Sequence, residues 1–224
     1  MQDNRSVLVP PERLTGWVRR FGERNGPFHT TRSPALPGTF VLEAENGCTA
    51  LVAAPLTTDT GGLTVGDMVP CETETAVSEV VHRALAPRTV GLILIRRGGY
   101  GVGVARDGAL ISSKNGTRYV QSRTAAGGWS QQRFARRREN QADFLVSTTA
   151  QRAAALFADN PPDCLQPGGD AKLFSECLAD GALVRYRPLP RLPLLPVPDP
   201  RQDVLRRAAA DTQAVRITLT NIPD

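Results

Sequence analysis

Thr89-Val90-Gly91-Leu92-Ile93-Leu94-Ile95 decides the fold. The stretch is uncharged and, apart from Thr89 and Gly91, aliphatic, which reads as a strand buried on both faces. Such a strand sits inside a sheet covered by helices, so the expected class is α+β (mixed α/β), with a central mixed sheet flanked by helices. Working outward, Arg96-Arg97-Gly98-Gly99 turns the chain, Tyr100 to Ala105 runs back, and Arg106-Asp107-Gly108 turns it again. Ala109 to Ser113 and Thr117 to Arg123 read as two further strands, joined by Lys114-Asn115-Gly116 as a hairpin turn. Gly99, Gly101 and Gly103 alternate with Val102 and Val104 and no helix follows, which fits a strand and not a phosphate loop.

Toward the start, Leu14, Trp17, Val18 and Phe21 fall at i, i+3, i+4 and i+7, one apolar helix face with prolines at its first turn. Arg13, Arg19 and Arg20 lie off that face, as solvated charges or as RNA contacts. Thr39 to Ala44 and Cys48 to Ala53 read as a hairpin around Glu45-Asn46-Gly47, Pro55 to Pro70 as a surface loop, and Glu74 to Ala84 as a helix. Toward the end, a long helix is expected from Gln131 to Ala158, stopped by Pro161-Pro162. Cys164 to Gln166 reads as a short strand, Ala171 to Ala179 as a helix behind Asp170, and Leu183 to Tyr186 as a strand. The prolines from Pro188 to Pro200 impose an extended path. Arg201 to Ala210 looks helical and Ala214 to Leu219 looks like a strand, either on the main sheet or in an appendage. The expected organisation is one domain over 1–224, with a core at about 35–187, an N-terminal amphipathic helix at 10–24 and a Pro-rich extension at 188–224.

Net charge is +5, and apart from Lys114 and Lys172 every cation is an arginine. Between Lys114 and Arg138 stand Lys114, Arg118, Arg123, Arg133, Arg136, Arg137 and Arg138, with no acid. A stretch of one sign favours a polyanion, and guanidinium forks fit phosphates. The start has no signal-peptide character and the longest apolar run is far too short to span a bilayer, so the cytoplasm is expected, and no membrane. Cys48, Cys71, Cys164 and Cys177 are irregularly spaced, so buried free thiols are expected in place of zinc or a disulfide framework. His29 and His82 are the only histidines and no G-x-S-x-G motif is present, which argues against a serine hydrolase. Glu43, Glu45 and Asp107 make a thin set for two-metal chemistry.

What remains is Gly127-Gly128-Trp129-Ser130-Gln131-Gln132-Arg133-Phe134-Ala135-Arg136-Arg137-Arg138. It combines a flexible backbone, an amide able to order water, and clustered positive charge. The same residues also read as a plain strand-to-helix connector, with Ser130 as N-cap and Arg136 to Arg138 on a solvated face.

A β-hairpin ladder, a G-x-x-Q loop (Gly128-Trp129-Ser130-Gln131) and a basic helix behind it resemble the release-factor-like family of VLRF type. That family is related to the eukaryotic ribosome-quality-control hydrolase Vms and to the middle domain of eukaryotic and archaeal class-one release factors. The arginine-rich chain looks like an actinobacterial member. The resemblance covers roughly residues 35 to 187, and Pro167-Gly168-Gly169-Asp170 before a helix is similar to the end of that domain. It implies an RNase H-like catalytic fold and hydrolysis of peptidyl-tRNA on stalled large ribosomal subunits, with the loop in the peptidyl-transferase centre. Gln131 is then catalytic, supported by Gly127, Gly128 and Ser130, with Gln132 as the neighbouring alternative. Lys114, Arg118, Arg123, Arg133, Arg136, Arg137 and Arg138 would hold rRNA or tRNA, with no cofactor or metal and a monomeric protein. A tRNA 3′-end endonuclease and a non-catalytic rRNA- or tRNA-binding protein are the alternatives. Class-one release factors have Gly-Gly-Gln contiguous, whereas Trp129 and Ser130 intervene here.

Overall fold

The structure, a computed structural model, describes residues 5–57, 68–117 and 130–222, and for 130–141 the backbone alone. The chain divides into two compact units, Met1–Ala86 with Gln213–Asp224, and Pro87–Thr212.

The first unit is a six-stranded antiparallel sheet made of β1 (Arg5–Val9), β2 (Phe28–Arg32), β3 (Thr39–Ala44), β4 (Thr49–Ala53), β5 (Val69–Pro70) and β10 (Val215–Thr220). Their order is β1-β10-β4-β3-β2-β5. Alternate residues Phe40, Leu42, Ala44, Ala50, Val52, Val215 and Ile217 face one core, which is the period of two expected of a half-covered sheet. Helix α1 (Leu14–Asn25) seats Leu14, Val18 and Phe21 there, and α2 (Thr73–Ala84) adds Ala76, Val77 and Val80. Full burial of a side chain such as Leu14 contributes about 1.5–3 kcal/mol. Trp17 stacks on Phe21 at 5.7 Å, and Phe28 meets Phe21 edge-on. α1 ends at Gly26, whose φ of +84° only glycine adopts freely.

The second unit holds β6 (Thr89–Arg96), β7 (Gly99–Arg106), β8 (Ala109–Thr117) and β9 (Cys164–Gly169), in the order β8-β7-β6-β9. β6, β7 and β8 form an antiparallel meander, and β9 runs parallel to β6. Helix α3 (Ser130–Asp159) covers one face, using Leu145, Val146, Thr149, Ala150, Ala153 and Phe157. These positions repeat at three and four residues, as one helical stripe must. Helix α5 (Gln202–Asp211) covers the other face. A Cβ at Gly101 would stand 3.1 Å from Leu205 of α5, while the neighbouring Val102 joins the α3 core. β6 is therefore covered twice, and Leu92 to Ile95 are all fully buried.

The α+β class read from the sequence is the one observed, with the strands divided between two sheets. Two local expectations change. Lys114-Asn115-Gly116 does not turn, because β8 runs straight through it and pairs Lys114 with Val102, Asn115 with Gly101 and Gly116 with Tyr100. The turn preference of Asn-Gly is local, and cross-strand pairing along β7 outweighs it. Tyr100 packs over Gly116, where a Cβ would meet its ring at 2.7 Å. Leu183 to Tyr186 is not a strand but part of a 3-10 helix, Gly181–Tyr186, started by Asp180, whose carboxylate accepts the Ala182 N–H at 2.9 Å. Leu183 and Tyr186, three residues apart, are buried together at the 3-10 period. The expected second strand at 117–123 lies beyond the described residues after Thr117.

The proline-rich stretch follows β9 as an interrupted strand, with bridges at Leu165↔Arg191 and Gly168↔Leu195. Buried Gln166 sends its side-chain amide to the carbonyls of Pro167 and Pro193, each at 2.8 Å. That supplies donors a proline-rich segment lacks.

Candidate functional site

The described chain stops at one end of the second sheet, just before the candidate residues. β8 reaches Thr117, which pairs with Gly99 at the start of β7, and Gly99 pairs in turn with Arg96. Residues 118–129 lie outside the described residues, and with them Arg118, Arg123, Gly127 and Gly128. The described chain resumes as α3, so Ser130, Gln131 and Gln132 are its first three residues. The first four N–H groups of an α-helix have no intrahelical acceptor, and the dipole makes that end positive. In α3 these belong to Ser130, Gln131, Gln132 and Arg133. Arg133, Arg136, Arg137 and Arg138 occupy the following turns. Lys114 is exposed on β8, three residues before Thr117.

α3 is held at its far part. From Ser130 to Leu145, the first buried position described, it rises about 22 Å. From there Phe157 closes over Gly91 and meets Tyr186 edge-on at 5.2 Å. Thr149, fully buried, returns its hydroxyl to the Leu145 carbonyl at 2.6 Å. Asp107 and Asp163 brace β6 at its start, accepting the N–H groups of Arg88 at 3.2 Å and Thr89 at 2.7 Å.

In the sequence Arg96 and Arg97 carry only a turn signal. Both are exposed, and the register puts them at the same sheet end as Thr117. Arg96 closes β6 and Arg97 opens the two-residue turn Arg97-Gly98 before β7, and this pair of consecutive arginines at a strand end is the signal that identifies them. Arg96 Nη1 donates to the Val197 carbonyl at 2.9 Å, on the rim of a recess of about 530 Å³ lined also by Gly169, Asp170, Pro196 and Pro198. That recess lies before helix α4 (Ala171–Ala179), but it is not an anion seat. The Asp170 carboxylate itself accepts the N–H groups of Lys172 at 2.9 Å and Leu173 at 3.1 Å.

Other chemistries find little support among the described residues. Glu43 is engaged by His29 at 2.8 Å in the first unit, and Asp107 is spent on the β6 brace. No group of three His, Cys, Asp or Glu side chains there could hold a metal ion. All four cysteines are free. Burial pushes the Cys164 thiol up to about 11 and Cys177 up to about 12, so neither is an activated nucleophile. No helix among the described residues is long and apolar enough to cross a membrane.

A model of the family described as Actinobacteria/chloroflexi VLRF1 release factor matches residues 88–218. The matched segment holds β6 to β9, the whole candidate loop and α3. No curated protein matches the chain. A solved structure titled "Archaeal protein" is similar over 92% of this chain and 72% of that one, at 10% identity and a TM-score of 0.34.

Proposed function

The chain belongs to the Actinobacteria/chloroflexi VLRF1 release factor family, and from that membership we propose that it hydrolyses peptidyl-tRNA on stalled large ribosomal subunits. A release-factor-like, ribosome-related role follows from the family itself. The observation that carries the finer reading is the position of Gly128-Trp129-Ser130-Gln131 inside the matched segment, ending at the N-terminus of α3.

In this reading a water oxygen bonds to the ester carbonyl carbon. The carbonyl oxygen becomes an oxyanion, the bond to the tRNA ribose oxygen breaks, and the water's proton passes to that ribose oxygen. Gln131 orients the water, and its N–H or side-chain amide stabilises the oxyanion. The dipole of α3 adds to that stabilisation. Gly127 and Gly128 allow close approach to RNA. Lys114, Arg118, Arg123, Arg133, Arg136, Arg137 and Arg138 hold rRNA and tRNA phosphates, and Arg96 and Arg97 extend this set at the base of the loop. The ribosome and the tRNA end supply the proton-transfer groups, so the step as written calls for no cofactor. A monomer in the cytoplasm suffices for this role.

The test uses 50S–peptidyl-tRNA complexes with wild type and Gln131→Ala. Release by the wild type and its loss in the variant support the reading. Co-sedimentation without release points to a binding protein, and a shortened tRNA 3′ end points to an endonuclease.

A further inference from the structure

Arg13, Trp17, Arg20 and Arg24 lie at i, i+4, i+7 and i+11 along α1 and its N-cap. At 3.6 residues per turn they occupy one stripe, within about 60° of arc and about 16 Å long. The three arginines are exposed and Trp17 is half-buried, its ring held by the stack on Phe21. Gly16, one turn before Arg20, leaves room for that guanidinium, which lies 3.4 Å from the place a Cβ would take. None of Arg13, Arg20 and Arg24 is in an ion pair among the described residues. The one acid of α1, Glu23, falls on the flank away from Trp17 and is already taken by Arg19 at 3.6 Å, and Glu12 lies outside the helix in the 3-10 turn before it.

We propose that this stripe of α1 is a second RNA-contact surface, which takes a single-stranded segment of RNA. Guanidinium forks fit phosphates, and an aromatic ring between them offers a face on which a base stacks. An anionic membrane is a poorer partner, because α1 spends its apolar face on the core and has none to insert. The surface lies outside the segment that matches the release-factor family, and it requires no assumption about ester hydrolysis.

The test uses the full chain carrying Trp129→Phe, which leaves Trp17 as its one tryptophan. The probe is a twelve-nucleotide oligouridylate, with polyglutamate and phosphatidylserine vesicles as competitors. Trp17 fluorescence is expected to be quenched on titration. Arg13→Gln, Arg20→Gln and Arg24→Gln together are expected to lower affinity at least tenfold and to reduce the slope of log affinity against log salt by about 2. All three side chains are exposed, so thermal unfolding of the triple variant should match the parent. An unmoved Trp17 signal, an unchanged affinity in the triple variant, or equal binding of polyglutamate or vesicles would overturn the proposal. Peptide release, measured apart, reports on the loop and not on α1.

Discussion

Gly91 of β6 lies under the ring of Phe157 in α3, so close that a Cβ at position 91 would stand 2.6 Å from Phe157 Cζ. The contact sets how near the helix carrying the candidate glutamine approaches the sheet. Gly91→Ala must push Phe157 off its rotamer or α3 off the sheet. The expected loss is about 1–3 kcal/mol in urea unfolding. Adding Phe157→Leu should restore part of it, and no recovery would mean that the two residues are not coupled.

Gln166→Leu keeps the side-chain volume and removes the amide that reaches Pro193 and Pro167. The Pro193 carbonyl then loses its donor, for an expected cost of about 1–3 kcal/mol. Limited proteolysis should report the change as faster cleavage within 188–200. Unaltered cleavage would show that the main-chain bridges to β9 hold the segment alone.

Gln131→Ala is expected to lower single-turnover peptide release by about 10²–10³-fold if its side chain stabilises the oxyanion. Gln132→Ala should change it less than tenfold. Reversed effects would move the catalytic role to position 132. A normal rate in Gln131→Ala with a drop in Gln131→Pro, which removes the N–H, would assign the role to the backbone.

The Cys177 thiol, raised to about 12 mainly by burial and further by Asp180, makes stability fall with alkaline pH. A folded value above the unfolded one stabilises fully below the unfolded thiol's ordinary range, about 8.5, and is lost as pH climbs toward 12. Cys177→Ala costs a fixed amount for its cavity at neutral pH. The stability gap between wild type and variant should therefore narrow above about pH 9. A constant gap up to pH 10.5 would contradict the buried thiol.

Elements whose pattern is internal were legible in the sequence. The stripe from Leu145 to Phe157 announces α3, and the uncharged run from Val90 to Ile95 announces a doubly covered strand. Features decided by distant partners were not. Asn115-Gly116 carries a turn signal, yet β7 offers a full-length partner and β8 continues. Leu183 and Tyr186 look like strand residues until Asp180 is seen capping a 3-10 helix. At the candidate site, Arg96 and Arg97 come to the sheet end of Thr117 only through the register of three strands.

β10 carries a consequence for synthesis. It is inserted between β1 and β4, so the unit that opens the chain lacks an interior strand until residues 215–220 have left the ribosome. The second unit, built from one unbroken stretch, can fold while the first still exposes the edges of β1 and β4. A chain stopped before Gln213 would keep the candidate loop and α3 yet leave its opening unit with two unmatched edges, prone to pairing with another copy.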